Sequence, residues 1–183
     1  MIIIGITGTI GAGKGAIVDY LVNKKDFKHF SVRTFLTEEI ERRGMSVNRD
    51  SFHLIGDEFR QKYSPGFLVE HFLEEAEKHK TPAIIESIRS VGEVNVFKKK
   101  PRTFLVAVDA PVKVRYERIL KRKSATDFVS FEKFVEQEQS ESVSDEPWAM
   151  NLPRCILRAD FRIENNGSIK DLHDAVDKMI ATL

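Results

Sequence analysis

Residues 8–17 read GTIGAGKGAI, and their types and spacing suit one kind of chemistry, the holding of phosphate. Gly8, Gly13 and Lys14 fall on the spacing G-x-x-x-x-G-K. Between a strand and a helix, such a stretch turns successive backbone N–H groups inward. The helix N-terminus adds partial positive charge, and the lysine reaches the terminal phosphates. Gly8, Gly11, Ala12, Gly13, Lys14, Gly15 and Ala16 are therefore the candidate triphosphate contacts. The pattern calls for a hydroxyl after the lysine to meet a metal ion, yet residues 15 and 16 are glycine and alanine. Two further groups could serve the same chemistry. IIESIRS (84–90) places Glu86 in an otherwise apolar run, where a carboxylate is expensive, and Arg89 follows it. In VKVRYERILKRK (112–123), Arg115, Arg118 and Arg122 stand at i, i+3 and i+7 and share one helix face. Arginines so grouped can neutralise charge on a transferring phosphoryl group.

These residues need a scaffold, and the hydrophobic periodicity predicts one. Residues 1–7 form a β-branched apolar run without polar alternation, as in a strand buried on both faces. AIVDYLVNKK (16–25) has helical spacing, FKHFSV (27–32) suits a strand, and FLTEEIERRG (35–44) reads as an amphipathic helix ended by Gly44. Residues 51–80 are helical in pattern with a break at Ser64–Gly66. PAIIESI (82–88) and TFLVAVDA (103–110) are buried strands, followed by a basic helix and then an acidic one, FEKFVEQEQSESV (131–143). ADFRIENNGS (159–168) supplies the last strand and turn, and the chain closes on a helix. Strands alternating with helices predict a three-layer α/β/α domain with a five-stranded parallel sheet. Ligands of such sheets bind beyond the carboxyl ends of the strands, which is where Lys14, Glu86 and Arg89 fall.

Composition narrows the partners. The 183 residues suffice for one domain, 1–183, and 29 basic residues nearly balance 28 acidic ones. No bulk field therefore points to a nucleic acid polymer or a membrane. Cys155 is the single cysteine, which excludes an internal disulfide and fits a reducing cytoplasm. The five histidines show no metal-ligand spacing, and MIIIGITG is too short for a signal peptide or a span. NKKD (23–26) matches the guanine-reading box of GTPases but stands too early in the chain, and is expected to be a solvated turn.

The loop GTIGAGKGAI resembles that of adenylate kinases and related nucleoside-monophosphate kinases, in which a glycine follows the lysine and a threonine usually comes next. Ala16 stands at that threonine position. The resemblance extends over nearly the whole chain. It implies ATP and Mg²⁺, with Glu86 holding the metal through water and Arg89 gripping the acceptor phosphate; the family has a glycine after the acidic residue. It implies a lid over 115–145, in which Arg115, Arg118 and Arg122 act on the transferring group, Arg118 and Arg122 foremost, with one of them stacking on the adenine and Arg118 among the ATP contacts. It also implies a helical acceptor-binding insert over 33–80. There Arg33, Arg49 and Arg60 are the notable cations, and Asp57 and Tyr63 are possible base or sugar contacts. The closing ADFRIENNGS resembles the strand and turn of dephospho-coenzyme A kinases that lines the adenine pocket, making Asn165, Asn166 and Gly167 candidates, Asn166 foremost. IERRGMSVNRDS (40–51) resembles adenylate-kinase-related proteins of unassigned substrate.

The nature of the acceptor turns on one position. Dephospho-coenzyme A kinases, which act on a sugar hydroxyl and which this chain also resembles, place an aspartate after the second strand to take the proton, whereas this chain has Arg33 and Thr34. A monophosphate attacks with an oxygen that is already anionic, so positioning and charge neutralisation suffice. A nucleoside or deoxynucleoside monophosphate is thus the expected acceptor. Transfer to a sugar hydroxyl, a nucleotide-binding module without catalysis, and slow nucleotide hydrolysis remain the alternatives.

Overall fold

The initial apolar run forms β1 (Ile3–Gly8), all six residues buried, as a strand covered on both faces must be. The computed structural model describes residues 1–122, 129–140, 144 and 146–183. After β1 come α1 (Lys14–Lys25), β2 (Lys28–Ser31), α2 (Val32–Arg42), α3 (Arg49–Lys62), α4 (Phe67–His79) and β3 (Ala83–Glu86). Then follow α5 (Val91–Lys99), β4 (Thr103–Asp109), α6 (Val112–Arg122), α7 (Phe131–Ser140), α8 (Leu152–Leu157), β5 (Phe161–Glu164) and α9 (Ile169–Ile180). The five strands pair in parallel in the order β2-β3-β1-β4-β5, giving the expected sheet.

Period-two alternation sorts the strand side chains into two cores. Ile3, Ile85 and Leu105 face α2, α3, α4, α5 and α8, joined by Leu36, Ile55, Leu73 and Phe97. Ile4, Ile6, Ile84, Val106 and Val108 face α1 and α9, joined by Ile17, Leu21, Leu172 and Val176. A small third cluster, Ile10, Ile119 and Phe134, ties α6 and α7 to the phosphate loop.

Several elements differ from their sequence expectation. α5 and α8 have no counterpart in the periodicity reading. Both are short, and α5 begins with a capping box in which Ser90 and Glu93 bond each other's backbone N–H. NKKD is the last turn of α1 and not a free turn; only Asp26 lies beyond the helix, in the left-handed conformation (φ 56°). The expected lid is represented by α6 and α7, while 123–128, 141–143 and 145 lie outside the described residues.

β1 has β3 on one side and β4 on the other. The connection leaving β1 runs to β2 on one side, whereas the connection leaving β3 crosses to β4 on the other, so the loops after β1 and β3 part and open a crevice between them.

Candidate functional site

The phosphate loop occupies that crevice. Gly8 has φ 136° and Gly13 φ 105°, both closed to other residues; a Cβ on Gly8 would stand 2.0 Å from the Val108 carbonyl oxygen. Gly13 is the N-cap of α1 and no side chain caps the helix, so its first N–H groups face the crevice. At Gly15 a Cβ would meet nothing within 4 Å, which leaves room beside those N–H groups for phosphate oxygens. Lys14 Nζ donates to the carbonyls of Gly8 and Thr9 at 2.7 and 2.8 Å, lying across the loop it is expected to serve. Asn165 braces the loop from below, its Nδ2 donating to the Ala12 carbonyl at 2.8 Å.

Beyond β3, residues 86–90 form the facing wall. Ile6 pairs with Glu86 in register, so the acidic strand end lies alongside the start of the loop. Glu86 accepts from Ser31 Oγ at 2.9 Å, and His29 Nε2 lies 3.6 Å away. Burial pushes its carboxyl up, but the nearby His29 imidazole, the hydrogen bond from Ser31 and the charge of Lys14 outweigh burial and hold it below its ordinary value. It is therefore ionised at neutral pH. Glu93, fully buried, organises the rest of the wall. One oxygen takes Arg60 Nε at 2.7 Å, and the other takes the N–H groups of Arg89 and Ser90 at 2.7 and 3.0 Å.

A single cavity of about 360 Å³ joins the two walls, within the usual size for a small-molecule site. Its lining includes Gly11, Gly13, Lys14, Gly15 and Ala16, the wall residues Glu86, Ser87 and Arg89, and the cations Arg33, Arg49, Arg60, Arg118 and Arg122. Ile10, Val32, Leu36, Phe52, His53 and Met150 supply its apolar and aromatic surface, with the Arg33 guanidinium 4.6 Å from the Phe52 ring centre. Among the described residues that line it, Glu86 is the one carboxylate.

Some candidates lie elsewhere or are already committed. Arg115 is absent from the lining; it is buried, donating through Nε to the Ala110 carbonyl and through Nη1 and Nη2 to Glu138 of α7. Its place on the shared face of α6 therefore serves packing against α7. Arg118 extends over the loop and donates to the Asn165 carbonyl at 2.9 Å. Asn166 is exposed and away from the lining, whereas its neighbour Asn165 is buried as the loop's brace. Arg60, at 3% exposure, reaches the cavity with its guanidinium bonded to Glu93 and to Asp57. Asp57 is outside the lining, and burial raises its carboxyl despite Arg60. Tyr63 is also outside, stacked on Phe67 at 4.5 Å. The sequence reading missed Glu93, Ser31 and His29. The S-x-x-E spacing of Ser90 and Glu93 was the available signal for the first; the other two are joined to Glu86 only by strand pairing.

No group of three or more His, Cys, Asp or Glu capable of holding a metal ion occurs among the described residues. One ionised carboxylate beside a phosphate cradle still fits Mg²⁺, which keeps several waters and takes its remaining ligands from phosphates and one or two carboxylates.

Comparison with known proteins agrees with this geometry. The model of the AAA domain family matches residues 4–146. A UPF0200 protein of Methanocaldococcus jannaschii is 28% identical over 183 residues, covering 98% of this chain and 89% of that one. Shikimate kinase from Acinetobacter baumannii, solved in complex with shikimate, superposes with a TM-score of 0.59 at 17% identity, covering 100% of this chain and 94% of that one. A gluconokinase from Sinorhizobium meliloti superposes at 0.62 with 12% identity, covering 99% and 92%. The fold is that of a P-loop, kinase-like α/β domain.

Proposed function

This chain belongs to the AAA domain family, and from that premise we propose that it transfers the terminal phosphoryl group of ATP to a small acceptor, foremost a nucleoside or deoxynucleoside monophosphate. One observation carries the reading: a single cavity unites an uncapped phosphate loop with arginines on the opposite wall, and Glu86 is the one carboxylate among its described lining residues. In the proposed step an oxygen of the acceptor phosphate attacks the γ-phosphorus, the bond from that phosphorus to the β–γ bridging oxygen breaks, and ADP departs. No proton need be removed from the acceptor, so the lack of a carboxylate at Arg33 and Thr34 is no obstacle.

In this reading the N–H groups of the first turn of α1 and Lys14 hold the β- and γ-phosphates. Arg89, Arg33 and Arg49 orient the acceptor, and Arg118 and Arg122 neutralise charge as it develops. Mg²⁺, held through water by Glu86 and otherwise by phosphate oxygens, would supply further neutralisation. Exclusion of water falls to α6 and α7, acting as a lid.

Likeness to a shikimate kinase and a gluconokinase favours one second reading, transfer to a hydroxyl. The deciding experiment is a coupled ADP-release screen over all ribo- and deoxyribonucleoside monophosphates, with shikimate, gluconate and dephospho-coenzyme A as hydroxyl acceptors. Turnover with a monophosphate supports the first reading, and turnover with a hydroxyl acceptor alone replaces it. Binding of ATP with no transfer at all leaves a nucleotide-binding module.

A further inference from the structure

The loop after β3 carries a backbone outlier. Ser87 has φ 66°, in the left-handed region that residues other than glycine rarely occupy. Glycine takes that conformation at no steric cost, and the kinases this loop resembles have glycine there. A serine in its place raises the energy of the folded state. Such outliers persist where the surroundings over-determine them, and they cluster at ligand clamps.

The surroundings do so here. Ile88 is fully buried, its N–H donates to the Ile6 carbonyl at 3.2 Å, and its carbonyl accepts from Thr7 Oγ1 at 2.7 Å. The N–H groups of Arg89 and Ser90 are fixed on Glu93. With Ile88 drawn into the core, its two neighbours Ser87 and Arg89 both line the cavity. Ser87 is half-buried there, and among the described residues its hydroxyl has no hydrogen-bond partner. The hydroxyls of Thr9 and Ser31 are by contrast spent on Asp109 and Glu86.

We propose that Ser87 is an acceptor-binding residue, its hydroxyl donating to an oxygen of the same phosphate that Arg89 holds. The assignment rests on the phosphotransferase reading above. A neutral donor suits this position, because the cavity already presents Lys14 and six arginines. It adds a directed bond to phosphate without further positive charge, and such a bond is stronger to an anionic phosphate oxygen than to a neutral hydroxyl.

Ser87→Ala and Ser87→Gly separate the hydroxyl from the backbone, since both lack the hydroxyl and only the glycine relieves the strain. Ser87→Gly is expected to unfold at a higher temperature than Ser87→Ala. Both should raise the KM of the best monophosphate from the screen by about tenfold or more, the loss of a hydrogen bond to a charged group. The KM for ATP and the Mg²⁺ concentration for half-maximal rate should stay within about twofold in both. An unchanged acceptor KM in Ser87→Ala overturns the assignment, and so does an effect confined to the Mg²⁺ requirement. If the wild-type protein phosphorylates no monophosphate, the transferase reading fails and takes Ser87 with it. A working wild type beside two equally effective variants sinks the Ser87 assignment alone.

Discussion

Replacing Glu93 by alanine should do far more damage than breaking any ion pair on the surface. The fully buried Glu93 carboxylate holds Arg60, itself 3% exposed, and two backbone N–H groups at 2.7–3.0 Å. Among the described residues, its removal leaves Arg60 with Asp57 alone as ion-pair partner, across a 3.0 Å contact, and takes their side-chain acceptor from the N–H groups of Arg89 and Ser90. Breaking one side of a buried pair costs about 3–5 kcal/mol, and each orphaned buried donor adds on the order of 1 kcal/mol. At about 2–4 °C per kcal/mol for a domain of this size, the melting midpoint should fall by roughly 10 °C or more. Urea unfolding followed by circular dichroism gives the free energy directly, provided that the slope is unchanged. The double variant Arg60→Met with Glu93→Leu removes both charges and should recover much of the loss, though not the two backbone bonds. Arg60→Ala then fixes the role of Arg60. It should destabilise the fold while changing acceptor KM much less than Arg89→Ala does, because its guanidinium is already engaged. A cost below about 1 kcal/mol for Glu93→Ala, or a double variant no better than the single, would refute this account of the wall formed by residues 86–90.

Three other outcomes are expected. Lys14→Ala should weaken ATP binding by roughly 10–100-fold in calorimetry, the scale of a lost charged contact; equal affinities would remove the loop from the donor site. Ala16→Thr should lower the Mg²⁺ concentration for half-maximal activity by up to about tenfold with little change in maximal rate, and a titration in which the two proteins coincide would show the hydroxyl to be irrelevant. Because the Glu86 carboxyl is held below its ordinary value, it contributes stability above the ordinary carboxylate range, and this is lost as pH falls through the depressed value. Glu86→Gln should therefore narrow its stability gap to the wild type as the medium is acidified, and a gap independent of pH would contradict the assignment.

The parts legible in the sequence are those where local pattern and function coincide. The phosphate loop, the buried parallel strands and the break between α3 and α4 each carry a signal within a few neighbouring residues. The site's supports do not. Arg60 meets Glu93 across 33 positions, and Asn165 meets Ala12 across 153, so neither partner is visible from its own surroundings. A turn signal marks Asn165 and Asn166 together without saying which member faces the fold, so the sequence does not single out Asn165 as the buried brace. Arg115 shares the helix face of Arg118 and Arg122, but periodicity is blind to the Glu138 carboxylate that occupies it. α5 went unseen because nine residues barely establish a period, although its capping box was present.

The two cores on opposite faces of the sheet have a consequence for how such a protein diversifies. α2, which carries Arg33, and α3, which carries Arg49 and Arg60, rest with α4 on one core, whereas α1 and α9, which support the phosphate loop, rest on the other. The sheet stands between them as a partition. Substitutions within the cores of α2, α3 and α4 repack only their own side, and effects of distant sites without shared partners add with little coupling. If the proposed function holds, drift in residues 32–79 would alter the acceptor side of the cavity while leaving the core beneath the phosphate loop unchanged. The two cores are separated by a layer of backbone a single strand thick.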